Sequence, residues 1–448
     1  MRSRGPLEPD FSAVRGKRLL AALSGGADSA ALVHLLAAAR EACELTLAAA
    51  HVDHGIRPDS AGDAEFCRSL CARLGVPFYC VRVDVPAAAR ANRAGLETEA
   101  RRLRLEQLER FRAQTESDYI VTAHHMDDQA ETLLMHLGRG AGLDGLGAMH
   151  KFSGRFYRPL LGFRKAELVE YLRRSGFDWR EDSTNRVDDN PRNAIRLHVI
   201  PELEKCYPRF VPAAARCARS AQIDADCLDG MARAFLARGG SAPGCDWLDL
   251  SDPPHRAILR RGIRRACPGS EALTWAQVDA LEALCGDPRG KIDVNGECFA
   301  ERAGRRLYFV RKRRPAIAPV PLDPGGITAL SGICEISARE APPRPVRDDA
   351  MTQVLDADAL LGAVLRTRRD GDRFRPLGCG DRLLSDFLID RKVDRPLRDD
   401  IALIARGDRV LWVCGLGISQ DARITGETRA AVRLACRYTF DMSRSINK

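Results

Sequence analysis

Three short stretches of the N-terminal third carry side chains suited to phosphate, protons and cations. SGGADS (24–29) sets two glycines between hydroxyl side chains and an acid. Gly25 and Gly26 would let the backbone approach an anion closely, and Ser24 and Ser29 offer hydroxyl donors. If a helix begins at Ala27 or Asp28, its first N–H groups have no internal partner and its dipole favours negative charge. HVDHGIRPDS (51–60) carries His51, Asp53 and His54. TAHHMDDQAETLLMHLGRGAGLDGL (122–146) carries His124, His125, Asp127, Asp128 and Glu131. On a helix, Glu131 falls three and four residues after the two aspartates, so all three carboxylates can share a face. Like charges gathered there repel unless an ammonium group or Mg²⁺ lies among them.

Several chemistries are excluded by spacing. The loop has no lysine, so it is not the GxxxxGK[ST] cradle of a γ-phosphate site, and GxGxxG is missing too. The fifteen cysteines form no CxxC, and none lies near the histidine pair in a zinc-like spacing. Scattered thiols of this kind fit a reduced, cytoplasmic protein in which most cysteines are small buried hydrophobes. Each stretch also has a plainer explanation. Asp28 and Asp127 can serve as helix caps, 51–60 can be a capped turn, and Arg101 with Arg104 can be a solvated helix face.

The elements that must position these residues follow from apolar patterning. KRLLAAL (17–23), LTLAAAHVDH (45–54), PFYCVRVDV (77–85) and DYIVTAHH (118–125) read as strands. Helical stretches stand between them at 28–42, 61–74 and 96–114, and another starts at Asp127. Strand–helix units of this length build a parallel sheet, whose ligands bind at the carboxyl ends of the strands. The three polar stretches lie at those ends. The expected fold is α/β: a parallel-sheet catalytic domain over 1–205, a mainly helical domain over 206–315, a Pro-rich linker over 316–352, and a small mixed α/β domain over 353–440.

The 448 residues carry a net charge of +9, which permits a nucleic-acid partner without requiring one. Basic residues concentrate at 305–314 and again at 366–398. No apolar run is long enough to span a membrane and no signal peptide is visible, so no membrane partner is expected.

SGGADS between a strand and a helix resembles the PP-loop of the ATP pyrophosphatases, which cleave ATP between its α- and β-phosphates. With SGGADS, HVDHGIR, ExxARxxR (97–104), TAHHMDDQAET, RGAGLDGL, RPLL, EDSTN and RNAIR in this order, residues 17–201 resemble the tRNA(Ile)-lysidine synthetase family. GDRFRPLG (371–378) and LLSDFLIDRKV (383–393) are similar to that family's C-terminal domain. The resemblance implies ATP and Mg²⁺ as cofactors, with free L-lysine and a CAU-anticodon tRNA(Ile) as partners. It implies that the wobble cytidine is adenylated and that lysine then displaces AMP. A homodimer is compatible with it.

Site residues carried over in this way are Ser24, Gly25, Gly26, Ala27, Asp28 and Ser29 for ATP, and Asp28 and Asp53 for Mg²⁺. Asp128 and Glu131 would take lysine, and Arg139, Arg192, Arg196, Arg373, Arg375, Arg391 and Lys392 would take tRNA. The catalytic set would be Asp28, Asp53, His54, Arg101, Arg104, His125, Asp127, Asp128 and Glu131. The rivals are a PP-loop tRNA thiolase, which typically needs a cysteine pair that this chain lacks, and a tRNA-binding protein with a degenerate loop, against which SGGADS and HHMDD stand intact.

Overall fold

The computed structural model describes residues 7–55, 60–180, 190–269, 273–314, 316–344 and 349–440. Two compact units divide the chain, 1–226 and 227–448. In the first, apolar strands alternate with helices in the expected order. The strands are β1 (Arg18–Ala22), β2 (Thr46–Asp53), β3 (Phe78–Arg82), β4 (Tyr119–Val121), β5 (Phe152–Ser153) and β6 (Phe156–Tyr157). The helices between and after them are α1 (Ala27–Ala39), α2 (Ser60–Leu74), α3 (Val85–Asn92), α4 (Leu96–Gln114), α5 (Met126–Gly138), α6 (Leu143–Leu146) and α7 (Lys165–Arg174). Helix α3 was not expected, because VPAAARAN continues the apolar run of β3. Its start is set by Asp84, whose carboxylate accepts the Ala87 N–H at 2.9 Å.

The sheet order is β3-β2-β1-β4-β6-β5. All neighbours are parallel except β5, which runs antiparallel to β6. Successive strands step outward to β3, and the chain then returns to the other side of β1 as β4. This reversal opens a crevice beyond the carboxyl ends of β1 and β4. The two-residue period of β1 divides its side chains between two cores. Leu19 and Ala21 pack with α1, α2 and α7 through Leu32, Leu36, Leu70, Leu168 and Leu172. Leu20 faces the other way, against Leu108 and Phe111 of α4. Burying each such leucine stabilises the sheet by about 2 kcal/mol, so both faces hold β1 in place under the loop that follows it.

Short helices α8 (Pro191–Ala194) and α9 (Ile200–Cys206) follow, joined by a π-helical turn over 195–199. The unit boundary falls within the long helix α10 (Phe210–Leu236). Ala130 and Leu133 of α5 pack against Ile200, Val211 and Ala214, which ties these helices to the end of β4.

The second unit differs from the sequence expectation in two places. Besides α11 (Arg256–Ala266) and α12 (Trp275–Gly286), the region expected to be mainly helical holds an antiparallel sheet of β7 (Gly240–Ala242), β8 (Cys245–Asp249), β9 (Lys291–Asp293), β10 (Cys298–Ala303) and β11 (Arg306–Arg311). GSAPGCDWLD gives little strand signal because none of its residues is β-branched. Residues 316–352, expected as a linker, instead contain β12 (Val320–Pro321), β13 (Ile327–Leu330) and β14 (Cys334–Ala341). Inward and outward positions alternate along β13 and β14, and the prolines punctuate strands rather than space two domains apart.

The remaining strands are β15 (Thr352–Asp356), β16 (Val364–Arg366), β17 (Arg373–Phe374), β18 (Arg382–Leu383), β19 (Leu403–Arg406), β20 (Arg409–Val413), β21 (Gly417–Ile418) and β22 (Ala431–Tyr438), with one helix, α13 (Leu384–Asp390). They form sheets ordered β12-β16-β19-β20-β17-β18 and β13-β14-β22-β15. Between the ends of β16 and β17 the Arg366 guanidinium grips Asp372 through two bonds of 2.7 and 2.8 Å, and both residues are buried. Removing one partner of such a pair strands the other charge. Asp372→Ala is therefore expected to lower unfolding stability by about 3–5 kcal/mol, read as a lower urea midpoint of the full chain. An unchanged midpoint would contradict this account.

Candidate active site

At the end of β1 the chain enters the loop through Ser24. Gly25 has φ +91°, a left-handed conformation open to glycine at little cost. Its carbonyl accepts the Arg180 N–H at 2.9 Å. The Ser29 hydroxyl donates to the Gly26 carbonyl at 3.0 Å and accepts the Ser24 N–H at 3.2 Å, so it ties the loop to itself. Ser24 Oγ lies 3.1 Å from Ser29 Oγ. The hydroxyl expected to donate to phosphate at position 29 is thus a brace. Gly26 caps α1 without a side-chain hydrogen bond. The first-turn N–H groups of α1 are left for an outside acceptor, and the dipole favours an anion there.

A cavity of ≈ 510 Å³ opens over this loop at the ends of β1, β2 and β4. Of the expected residues it is lined by Ser24, Gly26, Asp28, Ser29, Asp53, His54, Arg104, His125, Asp128 and Arg196. Asp28 is central. Its Oδ2 lies 3.6 Å from His125 Nε2 and 3.7 Å from Lys165 Nζ, while Oδ1 is buried without a hydrogen-bond partner.

The end of β4 divides its polar residues into separate duties. His125 is the N-cap of α5, with its backbone N–H donating to Asp128 Oδ2 at 3.0 Å. Burial disfavours charge on His125, but Asp28, Asp128 and Asp127 around it outweigh that penalty and raise its pKa. Burial likewise works against the Asp128 carboxylate, yet His125, Arg192 and His124 together lower its pKa. His124 goes the other way. Desolvation, helped by Arg158, Arg104 and Arg192, overrides Asp128 and pushes its imidazole down to about 4. Its Nδ1 sits 2.8 Å from Thr122 Oγ1.

Two of the expected carboxylates do not open onto the cavity. Asp127 turns toward α7, accepting Arg164 Nε at 2.9 Å and the Lys165 N–H at 2.8 Å. Glu131 is only 1 % exposed and is closed by arginines: Arg192 Nε donates to it at 2.8 Å, and Arg196 donates at 2.6 and 2.9 Å. The same guanidiniums reach Asp128 Oδ1 at 3.1 and 3.4 Å. Arg192 and Arg196, expected to meet tRNA, hold the acidic residues of α5 instead.

The expected arginine pair of α4 separates: Arg104 lines the cavity, with an unpartnered buried Nε, and Arg101 is exposed outside it. Lys165 and Arg180 were not assigned roles from sequence, yet both line the cavity, as does His51 beside Asp53 and His54. His51 is fixed by the Leu23 carbonyl, 2.9 Å from Nδ1. Arg180 Nε donates to Asp63 at 3.1 Å. No local spacing marks Lys165, which meets the loop only through tertiary contact. Residues 56–59 of HVDHGIRPDS and residues 181–189, which include EDSTN, lie outside the described residues.

Asp53 accepts the Gly55 N–H at 2.9 Å and lies 3.7 Å from Arg82 Nε. Among the described residues no three His, Cys, Asp or Glu side chains form a metal cage. Arg139 is exposed at the end of α5. In the second unit Arg373 is tied to Asp381 at 2.8 Å and Arg375 lies 3.7 Å from Asp421. Arg391 and Lys392 are exposed, with Arg391 over the Phe387 ring at 5.2 Å. Among the described residues no helix is long and apolar enough to cross a membrane.

Comparison with known proteins matches this architecture in both units. A PP-loop domain model matches residues 6–203, and a TilS substrate C-terminal domain model matches residues 363–436. A tRNA(Ile)-lysidine synthase of Geobacter sulfurreducens is 34% identical over 437 residues, covering 93% of this chain and 92% of the relative. One from Symbiobacterium thermophilum is 34% identical over 474 residues, covering 97% and 95%. Another from Aromatoleum aromaticum is 40% identical over 278 residues, covering 60% and 63%.

The His124 environment has a measurable consequence. In the unfolded chain the ring protonates near its usual 6.5, but in the fold only near 4. Its contribution to stability is therefore complete above pH 6.5 and is lost as pH falls toward 4. A ¹H–¹³C titration should show the ring carbon–proton pair of His124 flat between pH 8 and 5. A midpoint near 6.5 for His124 would show that its ring is solvated.

Proposed function

The chain belongs to the tRNA(Ile)-lysidine synthase family, and we propose that this cavity carries out lysidine formation in two steps. In the first, the ring carbonyl oxygen of the wobble cytidine attacks the α-phosphorus of ATP and pyrophosphate leaves. In the second, the ε-amine of L-lysine attacks the activated ring carbon and AMP leaves. A carbonyl oxygen is a poor leaving group, and adenylation makes it a good one. The observation that carries this reading is the pairing of an uncapped helix start at Gly26 with Asp28, whose one carboxylate oxygen is buried and unpartnered in the same cavity. The helix start suits the pyrophosphate end of ATP, and Arg104 adds a cation elsewhere in the cavity lining.

Of the two residues expected to bind lysine, Asp128 lines the cavity and Glu131 stands behind it. Asp128 supplies negative charge for the substrate amine, while Glu131 keeps Arg192 and Arg196 in place. The residues present fit Mg²⁺ at Asp28, through its unpartnered oxygen, better than at Asp53, which already accepts a backbone N–H. Mg²⁺ commonly takes one or two carboxylates together with phosphate oxygens and water, so a three-residue cage is not needed. Bound with ATP, it would screen the charge of the pyrophosphate. Exposed Arg391 and Lys392 would meet tRNA phosphates, which position the substrate without reading its sequence.

Protein, ATP, labelled lysine and a CAU-anticodon tRNA(Ile) transcript should yield one lysine per tRNA together with AMP and pyrophosphate. AMP without lysine in the RNA would reject the assignment. Asp28→Asn and Asp128→Asn should each lower lysine incorporation by on the order of 100-fold while tRNA binding persists. Wild-type turnover in either variant would remove that residue from the reaction.

Salt dependence tests the C-terminal contacts separately. Removing the charges of both Arg391 and Lys392 should weaken tRNA binding and flatten the slope of log K against log salt by about 2. An unchanged slope would place the tRNA elsewhere.

A further inference from the structure

The loop lacks a lysine of its own, and the cavity holds one that reaches it from another element. The side-chain cations of Arg and Lys that line the cavity are Arg104, Lys165, Arg180 and Arg196. Arg180 is held by Asp63 at 3.1 Å and Arg196 by Glu131 at 2.6 Å. Lys165 is committed to neither kind of partner. Its Nζ stands 3.7 Å from Asp28 Oδ2, beyond hydrogen-bond distance, and the side chain is 44% exposed.

Its backbone, by contrast, is fixed. The Lys165 N–H donates to Asp127 Oδ2 at 2.8 Å, and Asp127 Oδ1 takes Arg164 Nε at 2.9 Å. The Met126 N–H donates to the Phe163 carbonyl at 2.8 Å, and the Arg164 N–H to Glu167 at 2.7 Å. These bonds sew the start of α7 to the start of α5 and leave a half-exposed amine beside the phosphate loop.

We propose that Lys165 is the loop's missing cation, delivered from α7, and that Asp127 is the positioning residue that delivers it. The assignment rests on the adenylation reading above. When ATP seats, its phosphate oxygens compete with Asp28 for the amine, which swings on a four-carbon stem and carries three donors. The cytidine oxygen then forms its bond to the α-phosphorus, and the bond from that phosphorus to the bridging oxygen breaks. The electron pair stays on the bridging oxygen of pyrophosphate. Lys165 donates hydrogen bonds to the charge that develops there and transfers no proton. Asp127 does not line the cavity; besides its charge beside His125, it reaches the loop through the Lys165 N–H that it accepts.

The experiment measures the half-reactions of the full chain separately. Pyrophosphate release is followed with ATP and tRNA but no lysine, and lysine attack is followed on the adenylated tRNA. Lys165→Ala should slow pyrophosphate release by on the order of 100-fold and raise the KM for ATP, with lysine attack unchanged. Lys165→Arg, which keeps the charge, should recover most of the rate. Asp127→Asn should slow the same half-reaction less than Lys165→Ala, and the double variant should be no slower than Lys165→Ala alone.

If wild-type enzyme releases pyrophosphate and Lys165→Ala matches it, the Lys165 assignment is overturned while lysidine formation stands. Equal slowing of both half-reactions also overturns it. Multiplicative effects in the double variant overturn the role of Asp127. If wild-type enzyme releases no pyrophosphate with tRNA, the adenylation reading itself has failed. A thermal melt of each variant identifies loss of fold, and Lys165→Arg keeps the assignment testable should Lys165→Ala misfold.

Discussion

The cavity depends on pairing two buried carboxylates. Asp128 and Glu131 lie on one face of α5, and burying an acidic side chain there without a partner is costly. Arg192 and Arg196 provide the pairing with forked guanidiniums that each reach both acids. Arginine suits the task because it stays charged when desolvated and presents several donors in fixed geometry. The consequence is mechanical as well as electrostatic. Residues 190–200 become fastened to the first turns of α5, and this fixes the orientation of His125, whose own N–H is held by Asp128. An arginine that would otherwise be free for RNA phosphate is consumed in building the site.

A second constraint follows from where helices begin. α1, α5 and α7 all place their N-termini near the cavity, through Asp28, His125 and Lys165. Three positive dipole ends in one place favour anions strongly. Two of them are already answered. Asp128 accepts the His125 N–H at the start of α5, and Asp127 and Glu167 accept the Lys165 and Arg164 N–H groups at the start of α7. At α1 no side chain caps Gly26. The anion is thereby directed to the loop, and Asp28, with a buried oxygen that lacks a hydrogen-bond partner, sits at its edge.

Much of this was legible in the sequence. β1, β2, α1 and α4 are apolar or helix-forming runs that fall where patterning puts them, whereas β4 ends at Val121, short of the expected 118–125. What failed was short or tertiary. β7 and β8 have no β-branched residue, and the prolines near 320 and 342 suggested a linker where they punctuate strands. Among the site residues, Asp127 and Asp128 cannot be told apart by spacing, since both are helical neighbours of Glu131. Only the fold shows that one faces α7 and the other the cavity. Lys165 carries no local signature, because its partner is more than a hundred positions away.

The separation of loop and lysine bears on what the cavity can select. In a Walker loop, the lysine and the glycines share one segment, so the cation position is set by the loop alone. Here the glycines follow β1, while the amine is set by α7 through Asp127, at the start of the helix that follows β4. The cation and the backbone donors thus meet across the point where the strand order reverses. Two elements must be correctly docked before both can act on one triphosphate. A phosphate that engages the helix start alone gains the dipole but not the amine. This arrangement makes the charge around the leaving group a property of the assembled sheet rather than of SGGADS, and it assigns the acidic pair after the histidines to two tasks: Asp128 to the cavity wall, Asp127 to the placement of the cation.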